Sequence, residues 1–126
     1  LVLEQPEMLI ESLQGDAIVL ILTHDHALDY RLLRTLLDET ELSSIGMIGS
    51  KTKSDRFRAR LRRDGIPEQE DARWRCPVGL PAVRGKLPME VAISIAAEVL
   101  SQPSLQDDGK RVGVSWKSVQ AVLGKP

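Results

Sequence analysis

Three short stretches of the chain carry side chains whose types and spacing could do chemistry. In the first, Thr23-His24-Asp25-His26, two imidazoles flank a carboxylate. His-x-His is a recurring metal-ligand spacing with Asp25 as a third group, and imidazoles also bond polar ligands. The chain has no further histidine and a single thiol, Cys76. A complete metal site would therefore borrow Asp, Glu, Cys76 or a partner's residues, and no metal is expected. The plainer reading is that Asp25 caps a helix while the histidines bond neighbouring loops.

The second stretch is Ile45-Gly46-Met47-Ile48-Gly49-Ser50-Lys51. A Gly-Ser step before a helix exposes backbone N–H groups at the positive end of the helix dipole, a natural seat for phosphate or another oxyanion. Ser50, Lys51 and Lys53 add donors. The competing reading has the glycines make a tight turn and the lysines form a solvated face. The spacing matches neither a phosphate-binding P-loop nor a Gly-x-Gly-x-x-Gly fingerprint. The third stretch is Cys76-Pro77-Val78-Gly79-Leu80, with Arg73 and Arg75 close by in sequence. Guanidinium groups beside Cys76 would favour its thiolate. A nucleophile also needs a base, which His24 or His26 supplies only if strand ends converge. Otherwise Cys76 is a buried structural cysteine. No Gly-x-Ser-x-Gly elbow is present.

The surrounding elements set where these groups lie. Residues 17–22 are a continuous apolar run, suited to a strand covered on both faces as in a parallel sheet. Leu28, Leu32, Leu33, Leu36 and Leu37 then recur at helical spacing, giving a helix over 26–38 with Asp25 as N-cap. Residues 43–50 form a second strand. A helix follows, with Ser50 or Ser54 as N-cap, Phe57 and Leu61 as its apolar stripe, and Gly65 and Pro67 as its stop. The pattern further predicts a short helix over 5–13, a helical turn over 67–72 and an extended piece at 74–76. A last helix runs from Pro88 to Ser101, with Ala92, Ile95, Ala96 and Val99 on one face. The order β-α-β-α indicates a thin parallel α/β sheet, of three-layer type and incomplete, with its open edge expected to be covered by a second chain or an N-terminal half. Ligands of such sheets bind beyond the carboxyl ends of the strands, where all three stretches fall.

Composition narrows the function classes. At 126 residues, 42% apolar and 28% charged, the chain is that of a globular domain. No apolar run approaches the roughly 20 residues that span a bilayer. The start, Leu1-Val2-Leu3-Glu4, has no basic region of an export signal and reads as that of a fragment. The single cysteine fits a reducing cytoplasm. The net charge of −1 conceals a basic segment: residues 51–64 hold seven basic side chains against Asp55 and Asp64. Only Phe57 interrupts that segment and no stacking platform accompanies it, so an anionic ligand or acidic partner is expected rather than nucleic acid.

Taken together, Thr23-His24-Asp25-His26-Ala27-Leu28-Asp29-Tyr30, Ile45 to Lys51, Cys76 to Leu80 and the helix opening at Pro88 resemble the C-terminal, Rossmann-like domain of the XdhC/CoxI family. These are accessory proteins that mature xanthine dehydrogenase and related molybdenum hydroxylases. The resemblance covers residues 15–101, within a domain set at 1–101, and leaves 102–126 as an extension. It implies a chaperone without turnover of its own, which transiently binds the molybdenum cofactor (molybdopterin), works with a cysteine desulfurase and delivers to the apo-hydroxylase; a homodimer is expected from the thin sheet and its open edge. Carried onto this chain, Thr23, His24, Asp25, His26, Gly46, Gly49, Ser50, Lys51, Cys76 and Gly79 would line the ligand crevice. The alternatives are an NAD(P)-binding oxidoreductase domain and a non-binding structural remnant.

Overall fold

The structure, a computed structural model, describes Ile10, Leu13 and residues 16–102. Most of the helix expected over 5–13, and of the extension expected over 102–126, lies outside the described residues. Three strands, β1 (Val19–Ile21), β2 (Ile45–Met47) and β3 (Trp74–Arg75), form one parallel sheet in the order β1-β2-β3. Val19 pairs with Ile45, and Ile45 with Trp74. Parallel neighbours need a crossover. Helix α1 (His26–Glu39) supplies it between β1 and β2. Helix α2 (Lys51–Arg63) and a 3-10 helix (Glu68–Arg73) supply it between β2 and β3. Helix α3 (Pro88–Leu100) closes the described fold. The expected first strand is shorter than its apolar run, because Leu22 already lies half-exposed beyond the ladder.

Local chemistry sets the helix ends. Asp25 caps α1, its Oδ1 accepting from the N–H groups of Ala27 at 2.9 Å and Leu28 at 3.2 Å. The last turn of α1 has no basic residue, and Arg73 reaches across to serve it. Its guanidinium donates to the carbonyls of Leu37 at 3.0 Å, Thr40 at 2.5 Å and Leu42 at 2.7 Å. Arg73, expected beside Cys76, is thus spent on a helix end. Ser50 caps α2 by accepting from the Lys53 N–H at 3.2 Å. At the other end Gly65 takes a φ of 86°, which lets Ile66 N–H bond Leu61 O and Gly65 N–H bond Arg62 O. This is the Schellman arrangement.

The two faces of the sheet are covered differently. Ile21, Ile45, Met47 and Trp74 face α1 and α2, where they join Leu33, Leu36, Phe57 and Leu61 in one apolar cluster. Tyr30 and Phe57 meet edge-to-face within it, ring centres 5.4 Å apart. The opposite face carries α3. Of the four residues expected inward on α3, Ile95 is buried and Val99 half-buried, whereas Ala92 and Ala96 are exposed. Ser94 and Glu98 take the inward positions instead. The reason is the loop they meet, whose backbone N–H groups need acceptors and would be stranded against alanine. The result is a three-layer α/β fold. No described helix is long and apolar enough to cross a membrane.

Candidate functional site

Because all three strands run parallel, the turns leaving them emerge at one rim of the sheet. Thr23 to His26 follow β1, Ile48 to Ser50 follow β2, and Cys76 to Gly79 follow β3. Adjacent turns are stitched together by backbone bonds: Ile48 N–H to Ile21 O at 3.0 Å and Val78 N–H to Met47 O at 2.9 Å. His24, Asp25, His26, Ser50 and Lys51 are exposed there. Lys51 pairs with Asp55 at 2.9 Å on the helix surface. With Ser50 holding the Lys53 N–H, the earliest amides of α2 point out of the rim, where an anion would meet them. Leu22 and Ile48 add exposed apolar surface at 50% and 37%.

Under this rim lies a buried ion pair. Lys53 Nζ stands 2.6 Å from Asp29 Oδ2, with side chains 6% and 0% exposed. Asp29 Oδ1 accepts from Thr23 Oγ1 at 2.5 Å, and Lys53 Nζ also donates to Ile48 O at 2.9 Å. Lys53, expected as a donor for a bound anion, is instead committed inward, since a buried ammonium must be neutralised where it sits. Asp29 drew no attention in the sequence, yet a signal was present. It stands one turn before Leu33, and Lys53 one turn before Phe57, so each charge occupies an inward helical position.

In the third turn the reading of Cys76 as a buried structural cysteine holds, and the thiolate reading does not. Cys76 is buried, and burial pushes its thiol above the ordinary cysteine range, against the opposing pull of Lys53 and Arg58. Arg73 and Arg75 do not lower it: Arg75 pairs with Glu98, and Arg73 with the end of α1. Cys76 Sγ faces Ser50 O at 3.9 Å. A side chain at Gly49 would come within 3.0 Å of that sulfur and 2.6 Å of Lys53 Cδ, so only glycine fits the turn. Gly79 donates its N–H to Glu98, and Ser94 Oγ accepts from Leu80 N–H at 2.8 Å. Gly46 sits apart from the others, buried inside β2, where a Cβ would strike Val78 Cγ2 at 2.7 Å.

Gly46 lines a small hollow on the α3 face with Leu20, Arg75, Val78 and Glu98. At about 60 Å³ it admits a few waters, far less than the several hundred Å³ a cofactor-sized ligand fills. Among the described residues, no group of three or more His, Cys, Asp or Glu side chains is arranged to hold a metal ion.

A parallel sheet layered by helices on both faces, with polar groups gathered at its carboxyl rim, defines a Rossmann-like α/β domain. The chain belongs to the XdhC family: residues 3–99 match the XdhC Rossmann domain. It is similar to the uncharacterized protein YqeB of Escherichia coli (strain K12), with 33% identity over 89 residues, taking in 71% of this chain and 16% of that protein. It also resembles a Bacillus halodurans protein solved as a xanthine dehydrogenase. That match has a TM-score of 0.60 at 32% identity, covering 79% of this chain and 28% of that one. The chain spans a minor part of the length of each.

Proposed function

We propose that this domain holds the molybdenum cofactor for an accessory protein that matures xanthine dehydrogenase-type molybdenum hydroxylases in the cytoplasm. The cofactor is cargo, received and passed on unchanged in its carbon skeleton, with a cysteine desulfurase supplying sulfur. The chain has no turnover of its own, and it acts as a homodimer. One observation carries the reading. The exposed imidazoles of His24 and His26 and the free amide end of α2 at Ser50-Lys51 share one rim of the sheet. Molybdopterin carries a phosphate, which suits that helix end, and a flat ring, which suits the apolar surface of Leu22 and Ile48. The imidazoles offer hydrogen-bond or soft contacts to the pterin or its dithiolene. Membership in the XdhC family and the likeness to a protein solved as a xanthine dehydrogenase support a role in the maturation of such hydroxylases.

The test is an anaerobic titration of the full chain with molybdenum cofactor released from a molybdenum hydroxylase, and in parallel with NAD(P). Saturable cofactor binding, weakened at least about tenfold in a His24→Ala/His26→Ala variant, is expected. Tight NAD(P) binding without cofactor binding turns the assignment to an oxidoreductase domain. Binding of neither leaves a structural remnant.

A further inference from the structure

We infer that Asp29 and Lys53 are positioning residues that latch the two main walls of the crevice to each other and so set the gap a ligand enters. The cofactor-holding role of that crevice rests on the reading above. Each oxygen of the Asp29 carboxylate is held from a different side. Oδ1 takes the hydroxyl of Thr23, from the turn after β1, and Oδ2 takes the ammonium of Lys53, from the first turn of α2. Lys53 then donates a second bond to Ile48 O, in the turn after β2. Thr23 in turn accepts from Asp25 N–H at 3.0 Å, so the chain of bonds ends in the segment bearing His24 and His26. One buried pair thereby spans Thr23 to Ile48, and both binding turns hang from it.

A pair needed only for stability would be a poor choice at this place. Apolar residues of the same volume serve a core at least as well as an ion pair, and an ion pair is best attested where it fixes one arrangement over others. Here the pair bonds Thr23 and Ile48 in both turns while lying beside the apolar cluster, Lys53 Nζ standing 5.4 Å from the centre of the Phe57 ring. The side chain of Lys53 also lies against Gly49, which covers Cys76 Sγ. The single cysteine of the chain therefore reports on whether the second turn is closed.

The experiment compares Asp29→Asn, Lys53→Met and the double variant in the full chain. It reads thermal midpoint, amide exchange at residues 23–26 and 48–50, the rate of Cys76 modification by a disulfide reagent, and affinity for released molybdenum cofactor. Each single variant strands a buried charge or its partner and lowers the midpoint. The double variant, neutral on both sides, recovers most of the midpoint. It is nevertheless expected to exchange its rim amides and expose Cys76 about tenfold faster than wild type, and to bind the cofactor about tenfold more weakly. A stable double variant with wild-type exchange and thiol rates overturns the latch, and so does wild-type cofactor affinity in that variant. Should the double variant fail to fold, Thr23→Val decides. It cuts the first wall loose while leaving the ion pair intact, and unchanged exchange at His24 and His26 sinks the inference. If wild type binds no cofactor, the functional reading fails, while the exchange and thiol rates still decide the latch.

Discussion

The two faces of the sheet are built by different means, and the difference tells which contacts hold the fold and which hold the site. Toward α1 and α2 the contacts are apolar and closed: Leu33, Met47 and Leu61 expose no measurable surface. Toward α3 the buried residues on the helix are Ser94, Ile95 and Glu98, and two of those three are polar. Met89, Ile93 and Leu100 of the same helix remain 56% or more exposed. The first face is a core, stabilised by removing apolar area from water. The second is a clasp, in which Ser94 and Glu98 hold the backbone of Gly79 and Leu80 and so fix the third rim turn. Packing on one side carries stability, whereas hydrogen bonding on the other carries local shape.

Substitutions on each side should therefore separate these two properties. Leu33→Ala, at the centre of the closed face, is expected to cost about 3 kcal/mol in urea unfolding, because the cavity it leaves has rigid walls. Exchange should quicken throughout the domain. Glu98→Gln removes the charge from the clasp but keeps an acceptor. It is expected to cost about 1 kcal/mol, since Arg75, its charged partner, is largely exposed. Exchange at residues 78–80 should nonetheless rise about tenfold while β2 stays protected. If Glu98→Gln lowers global stability as much as Leu33→Ala, the division between core and clasp is wrong.

The layered fold was legible because apolar periodicity reports on the closed face. Residues 17–22 and 43–50 announce strands, the leucines of 28–37 announce α1, and Asp25, Ser50 and Gly65 mark helix ends by their own chemistry. The clasp was not legible, because periodicity alone favours alanine over serine or glutamate on an inward face. Ser94 and Glu98 face inward only because a particular loop presents unpaired amides to them. The same limit hid the latch. Lys53 looks like one basic residue among seven until tertiary contact reveals Asp29 as its partner. Arg73 belongs to the same case, since its target is the far end of α1, more than thirty residues earlier in the chain. Position on the rim could be read from sequence, but burial and pairing could not.

A subtler test of the closed face uses its one polar margin. Tyr30 is 2% exposed, with Arg60 stacked 3.9 Å from its ring centre and its hydroxyl donating to Asp64. Burial, aided by the Asp64 carboxylate, pushes the phenol up from 10.0 to about 12. The same bond, with the nearby Arg34 and Arg60, holds the Asp64 carboxyl below its usual range. Between pH 10 and about 12 the native chain therefore keeps a proton that the unfolded chain has lost. Stability must then fall as pH rises across that window, having been fully present below it. Tyr30→Phe gives up the hydrogen bond, so the variant should be less stable at neutral pH. It has nothing to titrate, so the gap to wild type should narrow as the medium becomes alkaline. Tyr30 is the only tyrosine of the chain, so an ultraviolet titration of tyrosinate reads it directly. A midpoint near 10.0 would mean that the phenol meets water freely, and that the face toward α1 and α2 is open at this margin.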